Sequence, residues 1–189
     1  MIPPHAGSAS HWRGKAGTLH SEITPMAKKS TLNVAVIGAG AIGLHHIEGF
    51  KAHPDARVVA VAETGAARGR EAVERYGIPS LVTDYRDLLS RPDIDIVSIA
   101  LPTWLHAEVS IDALRAGKHV MLDKPMTTNA ADAARIVAAA QKARKFMVGQ
   151  NQRFTGAAQA VRKAVADGRL GDVYHARAVW QRRSGIPRI

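Results

Sequence analysis

Not one of the 189 residues is cysteine. Disulfides, thiolate nucleophiles and cysteine-built zinc sites are therefore excluded, and the composition is compatible with the cytoplasm. Long apolar runs are also missing. None reaches the roughly 18 residues of a membrane span, and none near the start supplies the apolar core of about 7–15 residues that a signal peptide needs. Aromatic residues are few, three each of Phe, Tyr and Trp, and the basic end of the chain lacks the closely spaced aromatics on which nucleic-acid bases stack. Acidic residues are outnumbered 16 to 26 by Lys and Arg, for a net charge of +10.

That charge is unevenly spread. Residues 1–30 carry +3, residues 31–143 carry −1 and residues 144–189 carry +8. The middle of the chain is neutral, and no nucleic-acid motif accompanies the basic ends, so neither nucleic acid nor membrane is expected as a partner. Residues 1–30 hold Pro3, Pro4, three glycines and three histidines without any sustained period, and they read as a disordered extension. Met26, just ahead of Lys28-Lys29 and the first strand, reads as the natural start, which the intact mass of natively expressed protein would check. His5, His11 and His20 are too spread out for a metal site. His45 and His46 point to different faces of one helical turn, and no metal is expected.

The chain is organised around Asn33-Val-Ala-Val-Ile-Gly-Ala-Gly-Ala-Ile-Gly-Leu44. A short apolar strand, Asn33–Ile37, runs into Gly38, Gly40 and Gly43 at G-x-G-x-x-G spacing, and Ala41–Phe50 reads as a helix. Gly38 permits the tight turn out of the strand. Gly40 lacks the side chain that would hold a pyrophosphate away from the backbone, and Gly43 lets the helix pack against the strand. Ala41 and Ile42 open the helix, whose first N–H groups and positive dipole end suit phosphates. A second strand, Ala56–Ala62, ends at Glu63, twenty residues after Gly43. The strand, the glycines, the helix and the acid together make the dinucleotide fingerprint. Glu63 can accept hydrogen bonds from ribose hydroxyls and repel a 2′-phosphate, which favours NAD over NADP. Arg68, five residues on, suits either an exposed helix position or a role with NADP.

Further elements alternate. The expected order is a helix over Ala66–Tyr76 with Ala67, Val73 and Tyr76 inward, a short strand Ser80–Thr83, and a short helix capped by Asp84. A β-branched strand, Asp95–Leu101, and a helix, Leu105–Ala116, follow. Next come a strand Lys118–Leu122, a helix from its cap Asn129 to about Lys145, and a strand Phe146–Gln150. This alternation predicts an α/β fold, a Rossmann-type doubly wound parallel sheet. Ligands of such sheets bind beyond the carboxyl ends of the strands. Attention therefore falls on Leu101–His106, with Leu101, Pro102 and His106 foremost, on Asp123-Lys124-Pro125, and on Asn151–Phe154. Thr103 can cap the helix that follows it. His106 suits a helix surface or a catalyst. Lys124 suits either a surface turn or a group that meets a substrate hydroxyl and helps remove its proton, and spacing alone does not choose.

Four features in order extend the argument: Gly38-Ala-Gly-Ala-Ile-Gly43, Pro102-Thr-Trp-Leu-His106, Ala116-Gly-Lys-His-Val-Met-Leu-Asp-Lys-Pro125 and Asn151-Gln-Arg-Phe154. On these the chain resembles the glucose–fructose oxidoreductase / inositol dehydrogenase (Gfo/Idh/MocA) family of NAD(P)-dependent enzymes. The resemblance implies a sugar or polyol substrate and a Rossmann domain over 31–151. It also implies a second, α+β domain for substrate and oligomerisation that begins at 152–189, with a homo-oligomer expected for a full-length version. It places Lys124 beside nicotinamide and substrate as the catalytic candidate. Gly38, Gly40, Ala41, Ile42, Gly43, Glu63, Leu101, Pro102, His106, Asp123, Lys124, Asn151 and Arg153 are implied about the cofactor. Asp123 stands where the family usually has glutamate. A family-like entry helix, Thr155–Asp167, and one strand, Asp172–Arg183, follow, whereas the family's downstream Asp…His motif is absent. The chain thus reads as a truncated member, a dinucleotide-binding fragment not expected to turn substrate over unaided.

Overall fold

A computed structural model describes residues 31–140, 145–179 and 181, and the fold is that of the unit beginning at Thr31. The expected disordered extension, residues 1–30, lies outside the described residues.

Six parallel strands form one sheet in the order β3-β2-β1-β4-β5-β6. They are β1 Leu32–Ile37, β2 Ala56–Ala62, β3 Leu81–Val82, β4 Ile96–Ile99, β5 His119–Asp123 and β6 Phe146–Gly149. Between them run α1 Ala41–Lys51, α2 Ala66–Tyr76, the four-residue α3 Arg86–Leu89, α4 His106–Arg115 and α5 Ala130–Ala140. Short 3-10 turns cover Thr103–Leu105 and Asn151–Phe154, and α6 spans Gly156–Ala166. The strand order reverses between β1 and its two neighbours, β2 and β4. That reversal opens the crevice in which doubly wound sheets place ligands.

The apolar strands are continuous rather than alternating because both faces of the sheet are covered. In β1, Val34 and Val36 join the core under α1 and α2 with Ile47, Ala72 and Ile78. Ala35 and Ile37 join the core of the other face with Val97, Ile99, Val109, Leu122 and Ile136. Ile47 is wholly buried, and a side chain so placed stabilises the fold by about 1.5–3 kcal/mol.

Several local expectations hold and others give way. Asn129 Oδ1 accepts the Asp132 N–H at 2.9 Å, as a helix cap should. The cap of α3 falls to Tyr85 rather than Asp84, whose Oδ1 accepts the Arg86 N–H at 2.9 Å from one residue farther out. Residues 141–144, where the helix after Asn129 was expected to continue, lie outside the described residues. Thr103 makes no capping bond; it lies inside a 3-10 turn that delays the start of α4 to His106. In α2 the buried residues are Gly69 and Ala72. Val73 and Tyr76 pack partly against the core, but Ala67 is exposed. The helix is rolled so that Gly69 meets Leu81 and Glu63, where a Cβ would come within 2.8 Å of Leu81.

The largest correction concerns the strand expected over Asp172–Arg183. Residues 172–179 form no strand and are exposed; residues 180, 182 and 183 lie outside the described set. A strand is held by its neighbours, and none is offered to this segment among the described residues. From Asn151 to Val179 no described residue is buried.

Candidate functional site: a cleft at the strand-order reversal

The glycine turn is built by contact rather than by flexibility. Gly38 has φ +94, and a Cβ on it would lie 2.4 Å from the Ala100 carbonyl oxygen. Gly43 faces the turn so closely that a Cβ would lie 1.9 Å from the Gly38 carbonyl oxygen. The β1–α1 turn is thereby pressed against both the first turn of its own helix and the end of β4. Backbone bonds fix it further, from Gly38 N–H to the Ala62 carbonyl at 2.8 Å and from Ala100 N–H to the Ile37 carbonyl at 2.9 Å. Gly40 differs, because a Cβ there would meet nothing within 4 Å. The space in front of it is open, as a cradle for a bulky anion requires. Ala41 and Ile42 are exposed at the start of α1, where the first helical N–H groups have no partner within the helix.

Glu63 stands at the end of β2, and its side chain is 4% exposed. Oε2 accepts the Ala39 N–H at 2.9 Å. Oε1 accepts the Gly65 N–H at 2.7 Å and the Arg68 guanidinium at 2.6 Å. Burial alone would raise its pKa, but the bonds from Arg68, Gly65 and Ala39 and the Arg68 charge outweigh it and hold the pKa at about 2. The carboxylate is therefore both a potential ribose acceptor and the tie that fixes the glycine turn to the next strand. Oε2 keeps one lone pair beyond the Ala39 bond.

A cleft of about 480 Å³ opens at this point. Ile37, Gly38, Glu63 and Leu101 line it, joined by Thr83, Asp84, Tyr85 and Arg86 after β3 and by Leu105 and Glu108 on the far wall. The wall beyond β3 and Glu108 were not expected from the sequence, whereas Leu105 lies within the Leu101–His106 stretch that was. A two-residue strand gives a faint signal, yet Thr83–Arg86 follow its carboxyl end and the strand-end rule reaches them. Tyr85 donates to Asp112 at 2.8 Å, and burial followed by that bond pushes its pKa up.

The remaining expected residues gather at the same end of the sheet, outside the cleft. Asp123 is half-buried and pairs in register with Gly149, two residues before Asn151. Lys124, Pro102, Asn151 and Arg153 are exposed. His46 on α1 lies behind them with Nδ1 2.9 Å from the buried Ser98 hydroxyl. Burial lowers its pKa, and the Asp123 carboxylate acts in the opposite sense. His106 is 1% exposed and turned inward. Its Nε2 lies 2.8 Å from the Leu101 carbonyl and its Nδ1 lies 2.8 Å from the Pro125 carbonyl. The ring therefore does not lie on the helix surface, one of the two readings the sequence left open, but meets two loop carbonyls. Among the described residues no cluster of three or more His, Cys, Asp or Glu could hold a metal ion.

Residues 32–150 match the oxidoreductase family with an NAD-binding Rossmann fold, Gfo/Idh/MocA. The chain belongs to that family. The inositol 2-dehydrogenase of Gluconacetobacter diazotrophicus is 37% identical over 147 residues, covering 76% of this chain and 44% of that protein. The dTDP-3,4-didehydro-2,6-dideoxy-alpha-D-glucose 3-reductase of Streptomyces violaceoruber is 40% identical over 145 residues, covering 75% and 42%. Among solved structures, levoglucosan dehydrogenase in complex with NADH superposes with a TM-score of 0.72 at 31% identity, covering 75% of this chain and 40% of that one. The chain thus spans about two fifths of the length of these Gfo/Idh/MocA relatives, the part that carries their Rossmann domain.

Proposed function

We propose that this Gfo/Idh/MocA chain binds NAD across the β1–β4 crevice and belongs to an oxidoreductase that moves hydride between nicotinamide and a hydroxyl carbon of a sugar or cyclitol. The observation that carries the reading is the open space at Gly40 between Gly38 and Gly43, two positions closed to any side chain, with Glu63 on the neighbouring strand end. The pyrophosphate would lie on the N–H groups of Ala41 and Ile42, and a ribose hydroxyl would take the remaining lone pair of Glu63. Bound nicotinamide supplies the hydride acceptor or donor. On the protein's side, Asp123, Lys124, Asn151 and Arg153 share the strand end beyond β5 and β6. In the oxidation direction Lys124 would take the hydroxyl proton as the carbon hydrogen leaves with its electron pair, giving a carbonyl product. NADP is the weaker ligand because Glu63 repels a 2′-phosphate. The working environment we assign is the cytoplasm, and a full-length version would form a homo-oligomer.

A second reading has its own support. Lys124, Asn151 and Arg153 are all exposed, so nothing described positions a substrate above them or excludes water. The 189-residue chain would then hold dinucleotide without turning substrate over, since positioning supplies several kcal/mol of a typical barrier. Calorimetric titration with NAD tests the shared premise, and absence of binding would overturn both readings. A screen of sugars and polyols for NADH formation separates them.

A further inference from the structure

His106 joins two loops through its ring. Nε2 reaches the carbonyl of Leu101 and Nδ1 reaches that of Pro125, both at 2.8 Å. One loop ends β4 and lines the cleft; the other follows β5 and begins with Lys124. We propose that His106 is a positioning residue for Lys124, clipping the Lys124-Pro125 turn to the cleft wall through the two nitrogens of one buried ring. The inference rests on the reading of Lys124 as the group that meets the substrate hydroxyl.

Each ring nitrogen sits at hydrogen-bond distance from one carbonyl oxygen, and a carbonyl oxygen only accepts. The ring is 1% exposed, so bulk water does not compete for either contact. The consequence is geometric. Lys124 precedes Pro125 directly, so holding the Pro125 carbonyl fixes where the lysine's backbone sits relative to Leu101.

In H106N of the whole chain, amide exchange across residues 123–128 should quicken by about tenfold or more, the loss of a buried hydrogen bond. Exchange across residues 34–50 and NAD affinity should stay within about threefold of the parent, a range that a group making no ligand contact leaves unmoved. Uniform acceleration throughout would reduce His106 to a core residue and overturn the positioning role. Should H106N fail to fold, H106Q is read in the same way. A parent that binds no NAD would sink the functional reading and leave the exchange result standing.

Discussion

The Arg68 guanidinium lies 2.6 Å from Glu63 Oε1, joining a half-exposed cation to an acid whose side chain is 4% exposed. The pair softens the negative field that a 2′-phosphate would meet. Arg68→Ala should therefore weaken NADP binding more than NAD binding, widening the preference by about three- to tenfold, the scale of one partly screened charge. Calorimetry with both dinucleotides checks this. An equal loss for the two would mean that Arg68 acts only through the fold.

Glu63 also predicts an acid-sensitive fold. Its pKa falls from 4.5 to about 2 on folding. A depressed carboxylate stabilises fully above the unfolded value, and its contribution drains away as pH falls from about 4.5 through about 2. The amount is on the order of 2–3 kcal/mol after allowing for the screening of half-exposed Arg68. Denaturant melts at pH 6 and pH 3 should show Glu63→Gln flattening that decline. An unchanged pH slope would remove Glu63 as its source.

The glycines separate fold from ligand. Gly43→Ala puts a methyl 1.9 Å from the Gly38 carbonyl oxygen, and overpacking of that kind costs about 1–3 kcal/mol or more. Gly40→Ala adds its methyl in open space. Its melting temperature should match the parent's, while NAD affinity drops by about tenfold or more as the methyl holds the pyrophosphate off the backbone. If Gly40→Ala binds NAD as the parent does, the cradle lies elsewhere.

Lys118 offers a control at the opposite end of the sheet. It is 6% exposed, and its ammonium donates to the carbonyls of Arg91 at 2.5 Å and Ile94 at 3.0 Å. Lys118→Met leaves both acceptors wanting, so stability should fall by about 2–4 kcal/mol. NAD affinity at a temperature where the variant is folded should not move. A loss of affinity there would tie the two ends of β5 together.

The fold was legible where period and punctuation agreed. Val34 through Ile37 showed a strand buried on both faces, and Gly77 and Gly117 stopped their helices where expected. Legibility failed where a tertiary contact overrode a local rule. Ala67 looked inward by helical period, but Gly69 rolls α2 so that the backbone meets Leu81. Asp172–Arg183 was expected as a strand from the family resemblance, and a resemblance cannot report whether a neighbour is present to pair with it. Of the candidate site, Gly38, Gly43 and Glu63 were visible because each has one residue type that fits. Thr83–Arg86 were hidden behind a strand two residues long. For His106 the sequence disclosed a histidine at a strand end, whereas its two carbonyl partners come from loops 19 residues apart and 5 residues apart.

The central position of β1 also bears on how the chain reaches its folded state. Its partner β2 is close in sequence, but its other partner β4 lies about sixty residues on, and the Asn33 N–H reaches the Asp95 carboxylate at 2.8 Å. Closing the β1–β4 pair spans a longer loop than closing β1–β2, so more chain entropy is lost before its contacts form. A ligand that needs the β1–β4 crevice binds only chains in which that pair is closed, and so it would stabilise the folded chain and raise its melting temperature.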